Sequence, residues 1–156
     1  MNTSLDAYDL KLLAELQRDA STAQSELGLR VNLSTAAVNR RLKRLMDEGV
    51  IERYTAQVAP DALGHELSII VEVEVESERI DQIDALKRSF QACPQVQQCY
   101  YVAGECDFVL IFCVRNMAQY TQLTRELFFG NDNVKRFKTL VAMNRVKVGL
   151  QVPTDG

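Results

Sequence analysis

No stretch of this chain approaches the roughly 18 consecutive apolar residues that cross a bilayer, and the opening MNTSLDAYDLK carries no apolar segment behind a basic one. An inserted helix and a secretory leader are therefore set aside, and the expectation is a cytoplasmic protein with no membrane partner. Histidine occurs once, as His65. The four cysteines, Cys93, Cys99, Cys106 and Cys113, are spaced by six or seven residues and never as C-x-x-C. A zinc site needs paired ligands at short spacing, so no metal is expected, and the thiols are read as reduced and mostly buried. Also missing are a P-loop, a dinucleotide-binding glycine fingerprint and any Ser/His/Asp grouping. Without them the enzyme class is set aside and no cofactor is expected.

What the chain does have is a globular composition: 156 residues, 47% hydrophobic and 25% charged, enough for one ordinary domain or two small ones. Its formal net charge of −3 looks wrong for a nucleic-acid partner until the distribution is considered. Between Arg30 and Met46 there are five cations (Arg30, Arg40, Arg41, Lys43, Arg44) and no acid, whereas acids outnumber bases after Pro60. The basic charge belongs to one element.

Three helical patterns precede Gly49. In the first, Asp6 caps and Asp9 answers it as in a capping box, Leu5 staples to Leu10, and Leu10, Leu13 and Leu16 or Gln17 form the stripe of a helix from about Asp6 to Gln17. The second is short, with a cap at Ser21 or Thr22 and a buried edge of Leu27 and Val31. Gly28 in its interior costs about 1 kcal/mol relative to alanine, a cost that close packing would explain. After a turn at Asn32 and Leu33, Ser34 caps the third helix. Val38, Leu42 and Leu45 lie on one stripe, with Met46 beside it. At about 100° per residue, Ala37, Arg40 and Arg44 point away from that stripe, while Arg41 and Lys43 flank it.

Two helices joined by a short turn, the second carrying a cationic face, have the geometry by which a helix enters the major groove of double-stranded DNA. Small Ala36 and Ala37 let the backbone come close, and Asn39 and Arg40 reach base edges. Arg41, Lys43 and Arg44 lie against phosphates, and Ser34 and Thr35 stand at the helix N-terminus. The stretch VIERYTAQV from Val50 to Val58 is read as a small strand or wing, and Pro60 to Gly64 as a boundary.

Beyond it the order is strand, helix, strand, strand, helix, strand. Ile69, Val71, Val73 and Val75 alternate. Ile80, Ile83, Leu86 and Phe90 mark a helix. Strands over Val96–Ala103 and Phe108–Val114 flank a Gly104–Asp107 loop, Met117, Tyr120, Leu123 and Leu127 mark a second helix, and Phe137–Val148 forms the last strand. That βαββαβ order is a ferredoxin-like sandwich. The fold class is therefore α+β: a winged helix-turn-helix at residues 1–49, a wing strand and linker at 50–64, and the sandwich at 65–156. The run FVLIFCV, apolar on both faces, calls for a second subunit over the open side of the sheet.

The complete pattern resembles the Lrp/AsnC family of transcriptional regulators. The carriers are LDAYDLKLL from Leu5, LSTAAVNRRLKRLMDEGVI from Leu33, Tyr54, Leu63-Gly64, VAGECDF from Val102 and RVK from Arg145. Departures are Gly28 in place of the usual alanine, Ala23 in place of a hydroxyl cap and Asn32 in place of glycine. Asparagine tolerates the positive φ required there. The resemblance implies a homodimer built through the sheets, assembly into octamers, and an amino-acid effector held between dimers by Gly104, Glu105, Asp107 and Thr139. A carboxylate suits an ammonium, while a glycine-turn N–H and a hydroxyl suit a carboxylate. Apolar Val102, Phe108 and Met143 point to a hydrophobic amino acid such as leucine or methionine. The alternative is an architectural or thiol-responsive DNA-binding regulator without such an effector, with Cys99 and Cys106 approaching across the hairpin.

Overall fold

The computed structural model describes residues 4–154, so the outermost residues of the two terminal domains read from the sequence, 1–3 and 155–156, lie outside it. The chain divides into two compact units, one of residues 1–57 with 148–156, the other of residues 58–147. The sequence reading carried the last domain to residue 156. The tail instead joins the first unit because the Gln17 carboxamide grips its backbone like a neighbouring strand. Val152 N–H donates to Gln17 Oε1 at 2.7 Å, and Gln17 Nε2 donates to the Val152 carbonyl at 2.9 Å.

In the first unit, α1 (Ala7–Arg18), α2 (Gln24–Val31) and α3 (Thr35–Asp47) enclose a core of Leu12, Leu16, Leu27, Val31, Val38 and Leu42. Each such side chain taken from water contributes about 1.5–3 kcal/mol. The Asp6 capping box is present, with Asp9 N–H donating to Asp6 Oδ1 at 2.9 Å and Asp6 N–H to Asp9 Oδ2 at 3.1 Å. The buried stripe of α1, however, is Asp9, Leu12 and Leu16. It lies one step round from the Leu10–Leu13 stripe read from the sequence, because a charged residue heads it.

The helix two cap read at Ser21 or Thr22 falls at Ala23, which makes no side-chain capping bond. Ser21 is instead tied to the Asp19 carboxylate. Asn32 closes α2 with φ 57°, and Ser34 caps α3 by accepting the Ala37 N–H at 3.2 Å. Residues 50–58 form no strand, contrary to the wing read there. A single β-rich segment has no ladder of its own and becomes a strand only where a second segment pairs with it.

The second unit opens with a single turn, Pro60–Leu63, and then alternates β1 (Leu67–Val75), α4 (Ile80–Ala92), β2 (Val96–Tyr101), β3 (Phe108–Val114), α5 (Met117–Thr124) and β4 (Val134–Val141). The four strands form one antiparallel sheet in the order β2-β3-β1-β4, the ferredoxin-like arrangement. Ile69, Val71 and Val73 from β1 and Phe108, Leu110 and Phe112 from β3 pack against Ile83, Leu86 and Phe90 of α4 and Tyr120 and Leu123 of α5. On the opposite face, Ile70, Val109 and Ile111 are half-buried and Leu140 is exposed.

Two elements differ from the sequence reading. The last strand starts at Val134, opposite Val75, and ends at Val141, opposite Ile69. Ala142 N–H still donates to the Ser68 carbonyl at 2.9 Å, but β1 begins at Leu67, and the alternation continues past it to residue 148. The second helix ends at Thr124 and widens into a π-helical turn, Arg125–Phe129, closed by the Gly130 N–H to the Arg125 carbonyl at 3.0 Å. That widening lets Leu127 and Phe128, adjacent in sequence, both enter the core.

Candidate DNA-binding and effector sites

The DNA-binding residues read from the sequence all lie on α3 or its cap. Ser34, Thr35, Ala36, Asn39, Arg40 and Lys43 are exposed and Ala37 is half-buried, while Val38, Leu42 and Leu45 face the core. The cations divide into two groups. Arg40 and Lys43 make no ion pair among the described residues. Arg41 and Arg44 turn back to the fully buried Asp9. Arg41 Nη1 lies 2.8 Å from Asp9 Oδ1 and 2.7 Å from Asp6 Oδ2, and Arg44 Nη2 lies 2.6 Å from Asp9 Oδ2. The Arg41 guanidinium also sits 5.5 Å over the Tyr8 ring. Arg44, which helical phase put opposite the apolar stripe, is thus drawn to its edge by a carboxylate on another helix.

Sequence reasoning missed this role of Asp9, having assigned it to the cap. The signal was its spacing, three residues before Leu12 and seven before Leu16, which places it on the buried face.

Burial pushes the Asp9 carboxyl up, but the Asp6 N–H and the two guanidinium groups outweigh it, and its pKa lies below the ordinary carboxylate value. The Asp9 N–H, followed by Arg41, also holds Asp6 below that value. Groups whose folded pKa is depressed add stability above their unfolded pKa and lose it as pH falls through the folded one. The first unit is therefore expected to hold its melting temperature from pH 7 to about pH 4 and to lose it below. Asp9→Asn should start lower and flatten that decline, as thermal unfolding followed by circular dichroism from pH 7 to 2.5 would show.

The four residues read from the sequence as effector-binding lie in the β2–β3 loop and on β4. Gly104 and Glu105 are exposed at the tip of the β2–β3 loop, and nothing stands within 4 Å of where a Gly104 side chain would begin. Asp107 is engaged: one carboxylate oxygen accepts the Val75 N–H at 2.7 Å, and its own N–H donates to the Val73 carbonyl at 2.9 Å. It pins the end of β1 where that strand slips register against β4. Thr139 lies opposite Val71 on β4, and its hydroxyl is 2.6 Å from the Tyr120 hydroxyl, on the helix side of the sheet. Strand β1 stands between the β2–β3 hairpin and β4, so Thr139 lies a strand away from the hairpin that carries the other three. Two surface cavities, of about 560 and 410 Å³, are lined by none of them. Of the apolar residues read near this site, Phe108 packs inward, 5.4 Å from Phe90, whereas Met143 is almost wholly exposed.

All four thiols are free and half-buried. Cys99 faces Leu110 across the hairpin, four residues beyond Cys106, further than the roughly 7 Å Cα separation that a disulfide spans. Burial raises both thiol pKa values, Cys99 against an opposing Lys87 and Cys106 with further help from Glu72 and Asp107, which disfavours the reactive thiolate. No helix among the described residues is long and apolar enough to cross a membrane.

A two-unit chain that presents a cationic helix after a short turn and follows it with a ferredoxin-like sandwich has the architecture of a ligand-responsive DNA-binding regulator. Residues 5–52 match the model of a winged helix-turn-helix DNA-binding domain, and residues 68–152 that of the Lrp/AsnC ligand-binding domain. An HTH-type transcriptional regulator from Sinorhizobium fredii is 41% identical over 97% of this chain and 89% of its own. The leucine-responsive regulatory protein of Haemophilus influenzae is 34% identical over 94% and 88%. Among solved structures, a transcriptional regulator from Neisseria meningitidis in complex with L-Met superposes with a TM-score of 0.91 at 25% identity, covering 97% of this chain and 98% of that one. The chain belongs to the Lrp/AsnC family: it is a DNA-binding transcriptional regulator with a ligand-binding domain, not an enzyme.

Proposed function

We propose that this regulator reads double-stranded DNA with α3 laid in the major groove. Its effector is an amino acid with an apolar side chain, such as leucine or methionine, and it acts as a homodimer that assembles further into octamers. The observation that carries the DNA reading is α3 itself. One stripe is buried, small residues follow the Ser34 cap, and Asn39, Arg40 and Lys43 stand exposed on the other side. Asn39 and Arg40 are the base-reading pair, and Lys43 is a phosphate contact.

Support for the effector comes from the open Gly104 backbone and the exposed Glu105 carboxylate, suited to an amino acid's two charged ends. It comes also from two similar proteins, one a leucine-responsive regulator and one solved in complex with L-Met. The half-buried Ile70, Val109 and Ile111 on the open sheet face support the subunit contact, and the separation of Thr139 from the loop supports a pocket completed by another copy.

Arg40→Ala is expected to weaken binding to the cognate operator by about 1–3 kcal/mol, roughly five- to a hundredfold, without changing thermal unfolding. Fluorescence anisotropy checks the first point and circular dichroism the second. Wild-type affinity would move recognition off α3. A thermal-shift screen against the common amino acids at millimolar concentration tests the effector. A ligand at 100 times its Kd stabilises the native state by about 2.7 kcal/mol, so a selective rise is expected for apolar amino acids. No rise with any of them would leave the architectural reading.

A further inference from the structure

We propose that Asp9 is the positioning residue of the DNA-binding helix: it holds Arg41 and Arg44 against α1, so that Arg40 and Lys43 are the α3 cations left free to meet the duplex. The proposal rests on the reading that α3 meets DNA and divides its cations by role. Five observations carry it. Asp9 has no exposed surface although it is a carboxylate on the first turn of α1. Both of its oxygens are occupied, Oδ1 by Arg41 and Oδ2 by Arg44 and the Asp6 N–H.

Arg41 is the more enclosed of the two arginines, with 25% of its side chain exposed, and it bridges a second carboxylate, Asp6. The Tyr8 ring supports its guanidinium. Arg44 reaches a third carboxylate, Glu48, at 3.9 Å, and its Nε is buried without a hydrogen-bond partner. To reach a phosphate, Arg41 must vacate Asp9 Oδ1, and Arg44 must leave Oδ2 to the Asp6 N–H alone. Stripping a partner from a buried charge costs more than a solvent-exposed phosphate contact returns.

The two arginines project from successive turns of α3, and Asp9 lies at the opening of α1. The pairs therefore clamp the DNA-binding helix to the first helix at two points and fix its rotation about its own axis. That rotation decides whether Asn39 and Arg40 face the groove. The four α3 cations that look equivalent in sequence are two contacts and two struts.

The number of phosphates neutralised is read directly from salt dependence, since log Kobs falls with log salt by about 0.9 per phosphate contact on duplex DNA. A mixed-sequence 30-base-pair duplex serves as probe, because this quantity needs no operator and because Arg40, with no cognate base edge to read there, rests on phosphate as Lys43 does. Anisotropy titrations from 50 to 200 mM NaCl on the full chain are expected to show Arg40→Ala and Lys43→Ala each flattening the slope by about 0.9 per bound chain. Arg41→Gln and Arg44→Gln should keep the wild-type slope while lowering the melting temperature. Asp9→Asn, which releases both guanidinium groups, should leave the slope at least as steep as in the wild type and also melt earlier.

If Arg41→Gln and Arg44→Gln flatten the slope as much as Arg40→Ala does, the proposal is overturned and the DNA-binding reading stands. If none of the four α3 substitutions changes the slope, both fall. The arginine arms decide the matter even if Asp9→Asn does not fold.

Discussion

Phe128→Ala is expected to lower the unfolding free energy of the sandwich unit by about 3–5 kcal/mol, the upper range for deleting a buried aromatic ring. The ring is 2% exposed and stands at the junction of three elements. It meets Phe90 of α4 edge-on at 6.1 Å, Phe112 of β3 edge-on at 6.2 Å and Phe137 of β4 at 4.6 Å. Two of those neighbours are held on strands whose register is fixed by a four-stranded ladder, so the walls cannot collapse into the space left behind. A domain stable by about 5–15 kcal/mol would lose a large part of its margin. The control is the next residue. Phe129 is 74% exposed and touches Phe137 edge-on at 5.3 Å, and Phe129→Ala should stay within about 1 kcal/mol of wild type. Urea unfolding followed by far-UV circular dichroism checks both, and equal losses would mean that the π-helical turn does not point Phe128 inward.

That contrast marks the limit of reading by periodicity. Tyr120, Leu123 and Leu127 gave the second helix of the sandwich its existence and its inward face. Phe128, which that stripe did not include, enters the same core, and the π-helical turn that carries it has no composition signature. The same limit moved the last strand. Residues 142–148 alternate as a strand would, but pairing depends on what lies opposite, and β1 begins at Leu67. Residues 50–58, likewise β-rich by composition, form no strand. By contrast, caps and turns were legible because their chemistry is local: Asp6 with Asp9, Ser34 with Ala37, and Asn32 in the left-handed region each act within a few residues.

Of the candidate sites, the α3 face was legible as a face but not as a division of labour. Helical phase gives the direction of a side chain's root, whereas Arg41 and Arg44 are long enough for a distant carboxylate to redirect their ends. Asp9 is 32 residues from Arg41 in sequence, and nothing local links them. The β2–β3 loop was legible through Gly104 and Glu105, which stand exposed at its tip. The structural employment of Asp107 was not, since its partners are backbone groups of β1, a strand that precedes it by three elements.

Gly28→Val is expected to cost the helix-turn-helix unit at least about 3 kcal/mol and, with it, most DNA binding. Gly28 is buried in α2 where the chain doubles back into α3, and a Cβ at that position would stand 2.5 Å from the Leu33 carbonyl oxygen. The obstacle is backbone, and it is committed backbone: the Leu33 N–H donates to the Gly28 carbonyl at 2.9 Å, closing the turn. Relief would require the turn to open, parting Leu27 and Val31 from Val38 and Leu42 in the small core of that unit. Overpacking alone costs about 1–3 kcal/mol, and the turn hydrogen bond and lost helix contacts add to it. Valine is the informative choice because alanine would return about 1 kcal/mol of helix propensity against the same collision, whereas a β-branched residue returns little of it. The sequence showed glycine at an unfavourable helical position; the close approach of the Leu33 carbonyl gives the reason. Thermal unfolding of the variant, with anisotropy on duplex DNA, tests the account. A Gly28→Val protein with wild-type melting and affinity would mean that the turn between α2 and α3 is wider than this contact allows.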